Sequence, residues 1–114
     1  YMPPFNLSPA ALSILIALKD GDKHGYAILQ AVNEQTGGTR LLPGTLYNLL
    51  KRMLEEGWIA ELDERPDPAL DDERRRYYRL TGLGERVLRQ ELARMGSLLR
   101  AARRAGLLAD GDLP

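Results

Sequence analysis

The chain has 114 residues, enough for one modest core and one compact domain rather than two. Its 44% hydrophobic and 28% charged residues exclude a disordered chain, and its longest apolar run, Ile14 to Leu18, falls far short of the roughly 20 residues that cross a bilayer. With 16 basic against 16 acidic residues the net charge is zero, and with no cysteine every disulfide, thiolate nucleophile and Cys-ligated metal is excluded. A reducing cytoplasm is the expected location, and no basic-then-apolar leader opens the chain.

Ser8-Pro9 opens a first helix, with Ser8 as cap and Pro9 at the first helical position. Leu12, Leu15 and Ile16 form one apolar face, and Ala11, Ile14 and Leu18 form a second, so this helix must be covered on more than one side. Asp20-Gly21-Asp22 ends it. A second helix runs from about His24 to Gln35 and stops at Thr36-Gly37-Gly38. Thr39 to Leu42 reads as a very short strand or as plain extended chain. Pro43 starts a third helix that reaches about Glu56, with Gly57 at its end. Leu42, Leu46, Leu49, Leu50, Met53 and Leu54 make its inward set, and Gly44, Thr45, Asn48, Lys51, Arg52 and Glu55 its outward one. Tyr47 lies on the border.

Trp58 to Leu62 reads as a strand, with Trp58 in the core, and Arg75 to Leu80 as its return. Glu64 to Glu73 is the loop between them, because Pro66 and Pro68 cannot both sit inside a sheet. Thr81 caps a final helix running to about Ala105 and closed by Gly106, roughly 37 Å long at 1.5 Å per residue. Leu88, Leu92, Met95, Leu99 and Ala102 step by 4, 3, 4 and 3 along it, the seam of a helix that meets another helix. Residues 107 to 114 read as a frayed end.

Catalysis finds no support in these residues. His24 is the single histidine, no Gly-x-Ser-x-Gly elbow occurs, and Gly82-Leu83-Gly84 meets Val87 where a dinucleotide fingerprint needs glycine. Asp71-Asp72-Glu73 lacks the alternating spacing of a calcium loop and reads as a solvated acidic loop. No catalytic, cofactor or metal site is expected, and the chain is not expected to be an enzyme.

The charge is unevenly spread. Residues 59 to 73 hold seven acids and one base, Arg65, whereas Arg74, Arg75, Arg76 and Arg79 follow with no acid among them. Six more arginines lie between Arg86 and Arg104 against one acid, Glu91. A neutral domain can still present a basic stripe, and a phosphate backbone responds to the stripe.

Three helices, a hairpin and a last helix give the order of a winged helix-turn-helix, a mainly α fold with a wing of two or three strands. Its third helix enters a DNA major groove, which is roughly 12 Å wide. The entering face must be short and polar, as Gly44, Thr45 and Asn48 are, with Lys51 and Arg52 one turn later for phosphates. A solvated helix face would carry the same residue types. Arg74, Arg75 and Arg76 suit a wing on flanking phosphates, but charge also protects edge strands, and these arginines can pair with Asp71, Asp72 and Glu73. Lys23, His24 and Tyr26 stand at the amides opening the second helix, where phosphate binds; surface or capping roles fit His24 equally.

Taken together, these segments resemble the PadR family of winged-helix transcriptional regulators. The resemblance is carried by Leu7-Ser8-Pro9, His24-Gly25-Tyr26, Leu42-Pro43-Gly44-Thr45-Leu46-Tyr47, Leu54-Glu55-Glu56-Gly57-Trp58-Ile59, and Arg74-Arg75-Arg76-Tyr77-Tyr78-Arg79-Leu80-Thr81 with Gly84. It covers Leu7 to about Ala105, and the single terminal helix is similar to the small subgroup. The resemblance implies a homodimeric repressor on a pseudo-palindromic operator. Pro43, Gly44, Thr45, Tyr47 and Asn48 would face the major groove or its phosphates, and Arg74 to Arg76 would form the wing. Members dimerise through the first and last helices, here Ala11, Ile14 and Leu18 with Leu88, Leu92, Met95, Leu99 and Ala102. Some are released by a small-molecule effector, whose identity the residues do not reveal. Two departures stand out: the wing loop is long and acidic, and no aromatic residue follows Thr81, so a pocket for flat drugs is not implied. Residues 7–80 are expected to bind DNA and 81–106 to dimerise. The alternative from another class is a winged-helix module that binds a protein partner.

Overall fold

The computed structural model describes residues 7–35, 40–62 and 76–112. Helix α1 (Pro9–Lys19) begins where Ser8 Oγ accepts from the Ala11 amide at 3.2 Å, with Pro9 occupying a position that needs no donor. Ala11, Leu12, Ile14, Leu15, Ala17 and Leu18 are all buried, and Ile16 alone of its large apolar residues is exposed, at 39%. Apart from Ile16, both apolar faces are covered from within the chain, by α2 (Gly25–Gln35), α4 (Gly82–Arg104) and β3 (Tyr77–Leu80). Ala11, Ile14 and Leu18, which the family resemblance gives to the dimer seam, are at most 3% exposed within one protomer and so offer a partner almost no surface.

The second helix starts one residue later than its pattern suggests, because Lys23–His24 is a two-residue strand, β1. It pairs antiparallel with β3, Lys23 opposite Tyr78 and His24 opposite Tyr77. On its other edge β3 pairs antiparallel with β2 (Ile59–Leu62), which gives a three-stranded sheet in the order β1-β3-β2. A bare hairpin is marginal in water, and even two residues of β1 give the central strand neighbours on both sides.

Helix α3 (Pro43–Glu56) buries Leu46, Leu50 and Met53. Leu42, expected among them, is 61% exposed, and Leu41 takes the core position at 5%. Leu42 is the extended N-cap residue, and successive side chains of extended backbone point to opposite sides. The far end closes at Gly57, whose φ of 77° is left-handed and favours glycine. There the Gly57 amide donates to Leu54 O and the Trp58 amide to Met53 O, the paired bonds of a helix stop.

Trp58 is wholly buried, and its backbone is the seat for α4. The Thr81 amide donates to Trp58 O at 3.0 Å, the Thr81 hydroxyl donates to Gly57 O at 2.6 Å, and the same hydroxyl accepts from the Gly84 amide at 3.0 Å. One threonine therefore caps α4 and fastens it to the turn after α3. Val87 and Leu88 are buried beside it, and no residue of α4 beyond Leu88 is. The helix has 23 residues, about 34 Å at 1.5 Å each, and it draws the molecule out to 55 × 30 × 22 Å. Past Gly106 the chain is more ordered than its composition suggests: Asp110–Asp112 form a 3-10 turn, and Asp112 Oδ2 accepts from the Ala109 amide at 2.8 Å.

A Cβ on Gly84 would stand 2.0 Å from Trp58 O, a backbone atom that cannot step aside. Gly84→Ala should therefore cost about 1–3 kcal/mol or more, although alanine is the better helix former. Gly82→Ala, where the nearest atom is Arg86 Nη1 at 3.9 Å, should be neutral or gain up to about 1 kcal/mol. Denaturant midpoints of the two variants would check this opposite sign.

Candidate nucleic-acid interface

Helix α3 is split cleanly by burial. Gly44, Thr45, Asn48, Lys51 and Arg52 are all exposed on the side away from Leu46, Leu50 and Met53, and Pro43 is exposed at the helix start. A Cβ on Gly44 would meet nothing within 4 Å, so the first turn presents almost bare backbone. Thr45 and Asn48 stand beside it with short polar side chains, and Lys51 and Arg52 follow a turn later. This is a surface that backbone phosphates and base edges can approach closely.

Tyr47 is half-buried and turned toward α2. A Cβ on Gly25 would lie 2.8 Å from Tyr47 Oη and 3.1–3.2 Å from the ring carbons, so the phenol crosses the start of α2 through space that a side chain would fill. Gly25 and Tyr47 set how closely the two helices cross.

At the start of α2 the expected residues separate. Lys23 lies across the end of α1: its Nζ donates to Ala17 O at 2.9 Å and Gly21 O at 3.3 Å, with Asp20 Oδ2 at 3.8 Å. It caps the carbonyl end of α1, where a cation is favoured. His24 Nδ1 accepts from the Ala27 amide at 3.0 Å and so caps α2. Its ring meets Tyr77 edge-on at 5.4 Å between centroids and stacks on Tyr26 at 6.5 Å. Tyr26 is exposed.

On the wing, Arg76 Nη1 lies 3.0 Å from Glu61 Oε1, across the β2–β3 pair. Arg79 grips Asp22 through Nε at 3.3 Å and Nη2 at 3.0 Å to one oxygen. Glu61 and Asp22 were not singled out from the sequence, since only strand register brings them to these arginines. Arg74, Arg75 and the acids Asp71, Asp72 and Glu73 lie outside the described residues. Exposed pairs of this kind contribute about 0–1 kcal/mol, so phosphates compete readily for the same guanidinium groups.

Along α4, Leu88 is buried against α1, Met95 and Ala102 are half-buried, and Leu92 and Leu99 are exposed at 39% and 40%. Ile16, Leu88 and Leu92 line a shallow apolar groove between α1 and α4, edged by Lys19, Glu85 and Arg89. Glu85 is the hub of that edge, with Lys19 Nζ at 2.5 Å and Arg89 Nε at 3.2 Å. The hydrogen bond from Lys19, then that from Arg89, holds its carboxyl below the ordinary value of 4.5. Arg94 does the same for Glu91, and Glu91 raises Arg94 in return. Among the described residues no cluster of His, Cys, Asp or Glu could hold a metal ion, and no helix is long and apolar enough to cross a membrane.

A three-helix unit with a small three-stranded sheet, an exposed third helix and a long final helix defines a winged-helix protein. The model of the transcriptional regulator PadR-like family matches residues 14–90, and the chain belongs to that family. In fold it is similar to a transcriptional regulator from Clostridium thermocellum, 24% identical, with a TM-score of 0.69 over 83% of this chain and 87% of that one. It is also similar to a PadR family transcription regulator from Clostridium difficile R20291, 28% identical, with a TM-score of 0.66 over 82% of this chain and 95% of that one. A curated relative, an uncharacterized 37.1 kDa protein in transposon TN4556 of Streptomyces fradiae, is 38% identical over 89 residues. That match takes in 78% of this chain, which spans only 24% of the relative's length.

Because Glu85 is lowered in the folded chain, the stability it contributes is fully present above its ordinary range and is lost as pH falls through the lowered value. Glu85→Gln should therefore flatten the acid limb of the stability profile below about pH 4.5 and lower stability at pH 7. Thermal unfolding across a pH series, wild type beside variant, would check both.

Proposed function

We propose that this regulator acts as a repressor, bound as a homodimer to an inverted-repeat operator with α3 of each protomer in a major groove. The observation that carries the reading is the outward face of α3, where Gly44, Thr45 and Asn48 stand exposed ahead of Lys51 and Arg52. A helix opened by bare backbone and short polar side chains can come close to base edges. Asn48 can bond an adenine edge in two places, and the two cations suit the phosphates on either side. Arg76 would add a wing contact by exchanging Glu61 for phosphate. The repressor role rests on the family.

Residues 7–80 would serve as the DNA-binding unit and 81–106 as the dimerisation helix. An apolar stripe of Ile16, Leu92 and Leu99 left in water by one protomer supports a two-fold partner that covers it with its own copy. In that arrangement two third helices can enter successive grooves roughly 34 Å apart on one face of the duplex.

Footprinting on the chain's own upstream DNA tests the reading. A protected inverted repeat is the expected result, with half-sites about one helical turn apart. Asn48→Ala should cost about 1–3 kcal/mol of operator affinity and relax preference at one base position per half-site. Leu92 and Leu99 lie outside the protomer's core, so replacing both by Asp should yield a folded monomer. Light scattering beside circular dichroism reads this out, and a dimer that persists would remove these residues from the seam.

A further inference from the structure

We propose that Asn33 is the positioning residue that sets the pose of α3, and through it the selectivity of this regulator among DNA sequences. The proposal rests on α3 being the helix that reads DNA.

Asn33 lies in the last turns of α2 and is half-buried. Its Oδ1 accepts from the Leu41 amide at 2.7 Å, and its Nδ2 donates to the Leu41 carbonyl at 3.2 Å. One side chain thus holds both polar backbone groups of a single residue eight positions further on, as a neighbouring strand would. Leu41 needs this service. Its side chain is in the core, residues 40–42 belong to no helix or strand, and a buried backbone donor and acceptor must find partners. A carboxamide offers both roles from one planar group; alanine offers neither, and aspartate can only accept.

Leu41 precedes Pro43, the first residue of α3, by two positions. The N-cap between them, Leu42, makes no side-chain capping bond, so α3 has no such anchor of its own at that end. The start of the helix is located by Leu41, and Leu41 is located by Asn33. The second attachment to α2 is Tyr47 across Gly25, one turn into α3. Leu46, Leu50 and Met53 hold the body of α3 in the core, and these two attachments to α2 set the pose of its first turns; Gly44 and Thr45 lie between them in sequence, with Asn48 next to the second. With the Asn33 clamp released, the first turn of α3, ahead of the buried Leu46, can swing, and Gly44 and Thr45 at its start move most. Base-edge contacts depend on hydrogen-bond geometry and suffer from such a swing, whereas phosphate attraction through Lys51 and Arg52 falls off slowly with distance.

The test uses the full chain with Asn33→Ala and Asn33→Asp. Three quantities are read well below the unfolding midpoint: hydrogen exchange at the Leu41 amide, affinity for the duplex that wild type footprints, and affinity for a scrambled duplex of equal length. Asn33→Ala should expose the Leu41 amide to exchange and lower the footprint-to-scrambled ratio about tenfold, the scale of one lost base contact. Scrambled affinity should hold. Asn33→Asp keeps the acceptor but sets a carboxylate oxygen against the Leu41 carbonyl, so its ratio should fall part of the way; it carries the same test should the alanine variant not fold. A wild-type ratio retained by the variants would overturn the proposal, as would an equal drop on both duplexes, which marks a merely structural role. A wild-type ratio near one would overturn the operator reading and this proposal together.

Discussion

A helix that is apolar on nearly every side is stable only with neighbours on every side, and α1 imposes that requirement on the whole chain. Ala11, Ile14 and Leu15 reach zero exposure because α2 covers one flank, α4 another and β3 a third. The placement of these three elements then fixes much else. With α2 seated on α1, α3 can cross it at the Gly25–Tyr47 contact. With β3 seated on α1, the sheet has a central strand for β1 and β2 to flank. The first turns of α4, seated through Val87 and Leu88, aim the rest of that helix away from the body.

The exposed face of α3 follows from the same packing. Leu46, Leu50 and Met53 are its attachment, so the residues half a turn away face water whatever their chemistry. Here they are small and polar at the start and cationic further on. The fold supplies the exposure, and in the proposed reading the residues supply the affinity for DNA. Neither alone would make an interface, since a solvated helix of ordinary composition can show the same face.

Charge pairing explains how a chain of zero net charge can serve this purpose. Several cations are engaged within the protomer: Lys23 on the end of α1, Lys19 with Glu85, Arg79 with Asp22, Arg76 with Glu61. These contacts do structural work at element ends and joints. The pairs are exposed and weak, so a dense row of phosphates can displace a carboxylate from Arg76 without unfolding anything.

Helix limits and stops were legible in the sequence because their causes act within a few residues: Ser8 with Pro9, Pro43, Gly57, and Thr81 as a cap. The inward positions Leu46, Leu50 and Met53 of α3 followed from periodicity for the same reason. The side on which Leu41 and Leu42 fall was decided by the tertiary structure, because two adjacent leucines in extended chain carry no local sign of which one meets the core. The contact of Lys23 with the end of α1 likewise has no local sign in the sequence. Two-residue β1 has no pattern of its own and exists only because β3 lies alongside. Lys19 and Glu85 are 66 positions apart and Arg79 and Asp22 57 apart, and no sequence spacing announces such pairs. Local chemistry determines where α1, α3 and α4 begin; which groups meet across the fold depends on packing around α1, a property of the whole chain.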